Sequence, residues 1–187
     1  MILPTEVISF FEHEDGQPLK MDVDRWFKHY QFSILKYCKE NSKIHYLDHL
    51  FANYPEFRTL LDYRLSQAGV SKASIVPHLP RRANLSLNLR YLGGGAFIQH
   101  GSSTWIFAKS IGQMLFVNQN VTIGQGRGGA PVIGNNVHIR TGAVVVGNIV
   151  IGNNVVINAN SVVNFDVPND SKVYAPRSVI VQPLLND

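Results

Sequence analysis

Cysteine is nearly absent from this chain: among 187 residues Cys38 stands alone. One thiol closes no internal disulfide and builds no cysteine zinc site. Charge is also sparse, at 16% of residues against 45% hydrophobic. A chain this apolar buries a core, which excludes general disorder. Something other than a charged shell must then cover much of the fold. No apolar run reaches the roughly 18 to 20 residues of a membrane helix. Met1 to Phe11 has neither a basic start nor a small-residue cleavage site, so it does not read as a signal peptide. A cytoplasmic protein without a membrane span is expected. The net charge of +4 comes from 17 Lys and Arg against 13 Asp and Glu. The basic residues are scattered, whereas nucleic-acid binders gather theirs on one face. The bias fits a small anionic ligand, and no nucleic-acid partner is expected.

The composition changes near residue 75. Aromatic and charged residues dominate before it; Val, Ile, Gly and Asn dominate after it. Two domains are expected, 1–75 helical and 76–187 built of strands, with a joint from Ser74 to Arg82 stiffened by Pro77 and Pro80. From Met21 to Glu40 apolar residues recur at helical spacing: Trp26, Phe27, Tyr30, Ile34, Leu35 and Cys38. Asp22 or Asp24 is the expected cap. A second helix covers Lys43 to Ala52. A third starts at Pro55 and stops at Gly69, with Phe57, Leu60, Leu61 and Leu65 on one apolar face.

The second half repeats every six residues. From Ile133 the series runs Ile139, Val145, Ile151, Ile157, Val163, all Ile or Val. Two places earlier in each hexad stand Pro131, Val137, Ala143, Ile149, Val155 and Ser161, none charged. Turn residues such as Gly134-Asn135-Asn136 and Gly152-Asn153-Asn154 follow each aliphatic. A period of six is the mark of a parallel β-helix, in which each hexad is one flat side and three sides make a rung. Gly and Asn tolerate the left-handed backbone of the corners. The series also runs back through Ile123, Val117 and Ile111, interrupted by a loop at about Gln125 to Ala130. A β-sandwich would show alternation of period two and uneven strand spacing instead.

These hexads, with Phe97-Ile98-Gln99-His100-Gly101 and Asn120-Val121-Thr122-Ile123-Gly124, resemble the serine acetyltransferase family. Tyr54-Pro55-Glu56-Phe57-Arg58 and Tyr63-Arg64-Leu65 look like the helical region of its polysaccharide-biosynthesis branch. The resemblance covers most of the chain from about residue 50. It implies a mainly β protein, a left-handed parallel β-helix with an N-terminal helical domain. It also implies a homotrimer and acetyl-CoA as donor, lying between two subunits' helices.

Acetyl transfer from a thioester to a hydroxyl needs a base, a stabilised oxyanion and a donor held close to the acceptor. His100 aligns with the family's catalytic histidine and is the candidate base. The serine-specific enzymes place an Asp before that histidine, where Gln99 stands here. They orient the imidazole with an Asp about fifteen residues upstream. This chain reads Asn84-Leu85-Ser86-Leu87-Asn88 there, leaving Asn84, Asn88 or a backbone carbonyl to substitute. They carry Arg-His before the proline that resumes the helix; here Gly129-Ala130 precede Pro131. Gln99 and Arg127 are then the candidate acceptor contacts. A sugar hydroxyl in surface-polysaccharide synthesis is expected before free L-serine. For acetyl-CoA the resemblance points to Gly142-Ala143 and Asn160-Ser161 along the pantetheine arm, with Lys172 and Arg177 toward the phosphates. Tyr174 replaces a glycine of the family's closing motif.

Direct transfer without a covalent enzyme intermediate is expected, because Cys38 lies in the helical half; no metal is required. Serine O-acetylation and a catalytically silent trimeric scaffold are the rival readings. Gly124-Gln125-Gly126-Arg127-Gly128-Gly129 spells a dinucleotide fingerprint, but a strand hexad follows it where that fingerprint needs a helix. His45 and His49 lie one helical turn apart without the Glu of a zinc-protease motif, and read as an exposed helix face. Trp105, Phe107 and Phe116 are expected to fill the core.

Overall fold

The computed structural model describes residues 3–37, 42–70 and 83–179. The expected domain boundary at 75, the joint from 74 to 82 and Cys38 lie outside these residues. The helical region opens with α1 (Thr5–Glu12), which the sequence reading did not mark, and a 3₁₀ turn at Glu14–Gly16. Helices α2 (Gln17–Tyr37), α3 (Lys43–Asn53) and α4 (Pro55–Gln67) follow. Pro55 takes the first helical turn of α4, where its missing N–H costs nothing. Gly69 at φ 71° ends it. The Val70 amide bonds the Leu65 carbonyl (2.9 Å) and the Gly69 amide bonds that of Ser66 (3.3 Å), which is a Schellman closure. Phe57, Leu60, Leu61 and Leu65 are all fully buried.

Helix α2 begins at Gln17, so neither Asp22 nor Asp24 caps it. Asp24 pairs with Lys43 at the surface (2.7 Å). Asp22 is fully buried and takes two hydrogen bonds from Arg64 of α4, at 2.8 and 3.1 Å. It also accepts the Ala96 amide (2.7 Å), while Arg64 donates to the carbonyls of Leu92 and Gly93. A buried acid survives here because both its oxygens accept hydrogen bonds and its partner is a cation. Burial pushes the Asp22 carboxyl up, against the pull of Arg64. The Trp26 indole donates to the Ala96 carbonyl (2.9 Å). These bonds tie α2 and α4 to the first turn of the strand region, and residues of both regions form one contiguous core.

The strand region is a three-sided parallel β-solenoid. Face one stacks β1 (Leu85–Leu89), β3 (Thr104–Ala108), β6 (Thr122–Gly124), β9 (Val144–Val146) and β12 (Val162–Val163). Face two holds β4 (Ser110–Ile111), β7 (Val132–Ile133) and β10 (Val150–Ile151), lengthened by bridges at Leu92 and Val167. Face three stacks β2 (Phe97–Ile98), β5 (Phe116–Val117), β8 (His138–Ile139), β11 (Val156–Ile157) and β13 (Lys172–Val173). All pairs are parallel and in register, Ile98 over Val117 over Ile139 over Ile157 over Val173. The six aliphatics from Ile133 to Val163 all point inward and are buried, as are Ile111, Val117 and Ile123. The period of six thus becomes three continuous hydrophobic columns.

At the corner between faces two and three the backbone turns left-handed at Asn136 (φ 54°), Asn154 (φ 56°) and Asp170 (φ 58°). The asparagines just before them act as struts: Asn135 accepts the Gln113 amide (2.8 Å), Asn153 that of Asn135 and Asn169 that of Asn153, both 2.7 Å. The Gln125–Ala130 insertion folds back on itself, with Gly126 and Gly129 exchanging backbone bonds of 3.0 and 3.3 Å. Strand β7 follows it, so the glycine-rich run is a protruding loop and not a dinucleotide turn. Trp105 departs from expectation. It faces outward on face one and is 55% exposed, because its neighbours Thr104 and Ile106 take the inward positions of β3. Phe107 and Phe116 are half-buried on outer faces.

Candidate functional site

His100 sits on the connection from β2 to β3, at the corner joining faces three and one. Its backbone is left-handed (φ 65°), and Gly101 follows at φ 36°. The Ser102 amide (2.5 Å) and hydroxyl (3.0 Å) both donate to the His100 carbonyl, which fixes the turn. A non-glycine residue in this region is uncommon and marks a constrained position. The turn leaves the imidazole on the exposed outer edge.

Three residues on, Ser103 (φ 49°) makes the corner that recurs in register down the solenoid at Asn120 (φ 57°), Gly142 (φ 71°) and Asn160 (φ 60°). The Asn120 amide bonds the Ser102 carbonyl (2.8 Å) and the Asn160 amide that of Thr141 (2.9 Å). Ser103, Asn120, Gly142 and Asn160 therefore lie along one edge, with the His100 turn at its head. The φ of Gly142 disfavours a side chain, so the backbone there is bare. Ala143 and Ser161 come next on this edge, with their side chains in the interior. They offer an edge ligand only their lack of bulk. The Ser161 hydroxyl has no hydrogen-bond partner among the described residues. Lys172 and Arg177 are exposed in and beyond the last turn.

Gln99 is anchored on face three. Its carbonyl accepts from the Asn118 amide (2.9 Å), and its nitrogen lies 3.5 Å from Nε2 of His29, on α2. Burial lowers the pKa of His29, and positive charge at His100 and Arg25 lowers it further. A neutral His29 ring nitrogen can accept the Gln99 N–H. Below Gln99 and Asn118 stands Arg140, with its guanidinium 4.9 Å over the Phe116 ring. Phe116 in turn stacks on His138 at 5.2 Å. Burial lowers the pKa of His138, helped by Arg25 and Arg140.

Arg127 is exposed on the loop after β6, at the opposite end of face one. Gln125, Gly129 and Ala130 of the same loop line a groove of about 790 Å³ together with Arg90, Phe107 and Lys109. Within one chain, Arg127 and His100 thus occupy different corners. Asn88 lies at the far end of β1, opposite Phe107. Asn84 is exposed just before β1, its carbonyl taking the Thr104 amide (2.9 Å). Among the described residues no group of three His, Cys, Asp or Glu side chains could hold a metal ion.

One acidic residue at this corner escaped the sequence reading. Glu56, in the first turn of α4, is 8% exposed. Its Cγ stands 2.9 Å from where a Cβ on Gly101 would be. The signal was present: Glu56 is four residues before Leu60 and shares its buried stripe. Tyr30, at a kink in α2 (φ −107°, ψ 16°), belongs to the same neighbourhood. Its pKa is pushed up to about 12 by burial and then by Tyr54 and Glu56.

The bacterial transferase hexapeptide family (six repeats) matches residues 130–164. A serine acetyltransferase of Synechococcus elongatus is 37% identical over an alignment of 134 positions that covers 64% of this chain and 54% of that protein. The chain thus spans about half the length of that curated relative. Serine acetyltransferase 1 of Entamoeba histolytica, solved with L-cysteine, superposes with a TM-score of 0.61 at 23% identity, covering 91% of this chain and 66% of that one. The Neisseria gonorrhoeae serine acetyltransferase solved with serine gives 0.60 at 19%, covering 87% and 67%. At these identities the solved structures share the fold. Among the described residues no helix is long and apolar enough to cross a membrane.

Proposed function

We propose that this hexapeptide-repeat homologue of the serine acetyltransferases is an acetyl-CoA-dependent O-acetyltransferase with His100 as general base. The observation that carries the reading is His100 held left-handed at the head of a corner edge that continues through Gly142 and Asn160. Acetyl-CoA lies along that edge, its pantetheine on the bare backbone at Gly142-Ala143 and Asn160-Ser161, and its phosphates toward Lys172 and Arg177. His100 takes the acceptor's hydroxyl proton as the oxygen attacks the thioester carbonyl, and CoA leaves as the thiol. The chain works as a cytoplasmic homotrimer, in which a neighbour's Arg127 loop reaches the His100 corner that its own chain cannot supply. The outward residues Trp105, Thr122, Val144 and Val162 of face one, aligned in register, carry no charge. They supply the apolar contact between subunits.

L-Serine is the acceptor that the relatives favour. A sugar hydroxyl is the second reading, and this chain's own residues favour it. Gly129-Ala130 and Gln99 remove groups that bind serine in the resembling enzymes. The strip of half-buried Gln99, Phe116 and Arg140 on face three offers an amide, a ring edge and a guanidinium, groups that suit the hydroxyls of a sugar. Arg140 is two rungs from Gln99, roughly 10 Å at the usual strand spacing, farther than one serine spans. The test is thiol release from acetyl-CoA by wild type and His100→Ala, with L-serine and a panel of sugars. Loss of acceptor-dependent release in His100→Ala supports the base. Release with serine alone sinks the sugar reading. No release with any acceptor, together with no binding of acetyl-CoA, sinks the enzyme reading in favour of a silent scaffold.

A further inference from the structure

We infer that Glu56, delivered by the helical region, is the carboxylate that positions His100. The inference rests on the O-acetyltransferase reading with His100 as base. Strand β1, where the resembling enzymes keep their orienting Asp, holds no acid between Asn84 and Leu89. An imidazole acting as base works best when a neighbouring acceptor holds one ring N–H, which fixes the tautomer and stabilises the imidazolium as it forms. Helix α4 brings such a group. Its first turn packs on the His100 corner so closely that the Glu56 Cγ would touch a Cβ at Gly101. Gly101 Cα is one residue from His100, about 3.8 Å along the chain, and a glutamate carboxylate reaches well beyond its Cγ.

Two features make this placement specific. Gly101 lacks the side chain that would push Glu56 out; Ile98 and Leu85 close the remaining space at 3.0 and 3.2 Å. Glu56 is buried, so its side chain is held against this corner and not out in solvent. Arg58, two residues further along α4, donates to the Phe51 and Ala52 carbonyls (2.7 and 3.0 Å) and also feels the Glu56 charge. The helical region thus has a catalytic purpose: it returns to the solenoid corner the acid that the solenoid itself lacks. Glu56 acts through His100 and does not touch the acceptor.

Two readouts on the full chain test this. The first is the ¹⁵N spectrum of the imidazole nitrogens, which reports the tautomer of neutral His100 and needs no acceptor. Wild type is expected to hold one tautomer; Glu56→Gln, a mixture; Glu56→Asp, one tautomer still. An even mixture in wild type overturns the inference, whether or not any Glu56 variant folds. The second is thiol release across pH. Glu56→Gln is expected to lose roughly 10- to 100-fold in kcat, a part of what a general base contributes, with the KM for acetyl-CoA unchanged and Glu56→Asp recovering much of the loss. A folded Glu56→Gln with wild-type tautomer and wild-type pH–rate profile overturns it as well. If wild type proves inactive with every acceptor, the O-acetyltransferase reading fails, and the tautomer measurement alone still decides where Glu56 acts.

Discussion

Gly101 carries more constraint than its neighbours in the His100 turn. It combines φ 36° with contacts under 3.3 Å from three other residues at its missing Cβ. Gly101→Ala therefore strains the backbone and displaces Glu56. A loss of about 1–3 kcal/mol is expected in denaturant unfolding, with a fall in thiol release larger than that of Glu56→Asp. Wild-type stability and rate in Gly101→Ala would refute the close packing of α4 on this corner. The histidines make a second prediction. His29 and His138 both titrate lower when folded, chiefly through burial. The unfolded chain then binds more protons just below the ordinary histidine value of about 6.5. Stability is full above that pH and declines as pH falls through it. Melting temperatures across pH should show the decline, and His138→Gln should flatten it; an unchanged slope would remove His138 as a cause.

At the scale of elements, the buried Arg64–Asp22 pair decides how helices and solenoid meet. Five hydrogen bonds converge on the pair from α2, α4 and the first solenoid turn. Removing one partner leaves an uncompensated buried charge. Arg64→Met should cost about 3–5 kcal/mol in chemical denaturation, and adding Asp22→Leu should recover part of it. Additive losses would mean the pair is not coupled. Because α4 carries both Arg64 and Glu56, weakening this joint should also slow acetyl transfer. Two sequence expectations failed at this scale. Asp22 read as a cap because a polar residue before an apolar run is the ordinary helix start; its true partner is 42 residues away. Trp105 read as core because aromatics bury most area, but hexad register sends it outward.

For the whole molecule, the proposed trimer makes face one an interface. Val162, 63% exposed, and Trp105 lie in its outward column. Val162→Glu should give monomers in light scattering and lose acceptor-dependent thiol release, since Arg127 of a neighbour no longer reaches His100. A monomeric wild type, or an active trimer in the variant, would refute that arrangement.

The solenoid was legible in the sequence because its periodicity is local: a side chain's place within its hexad decides whether it points in or out, and Ile133 to Val163 repeat that choice six times. The turn at His100 was legible for the same reason, from the His-Gly step between hexads. Helix α4 was bounded by Pro55 and Gly69, which act on their own backbone. The tertiary structure alone decided what no local rule encodes: the pairing of Asp22 with Arg64, the approach of His29 to Gln99, and the burial of Glu56 against Gly101. Each joins residues dozens of positions apart, and such contacts are chosen by how whole elements pack, not by the residues beside them in the chain.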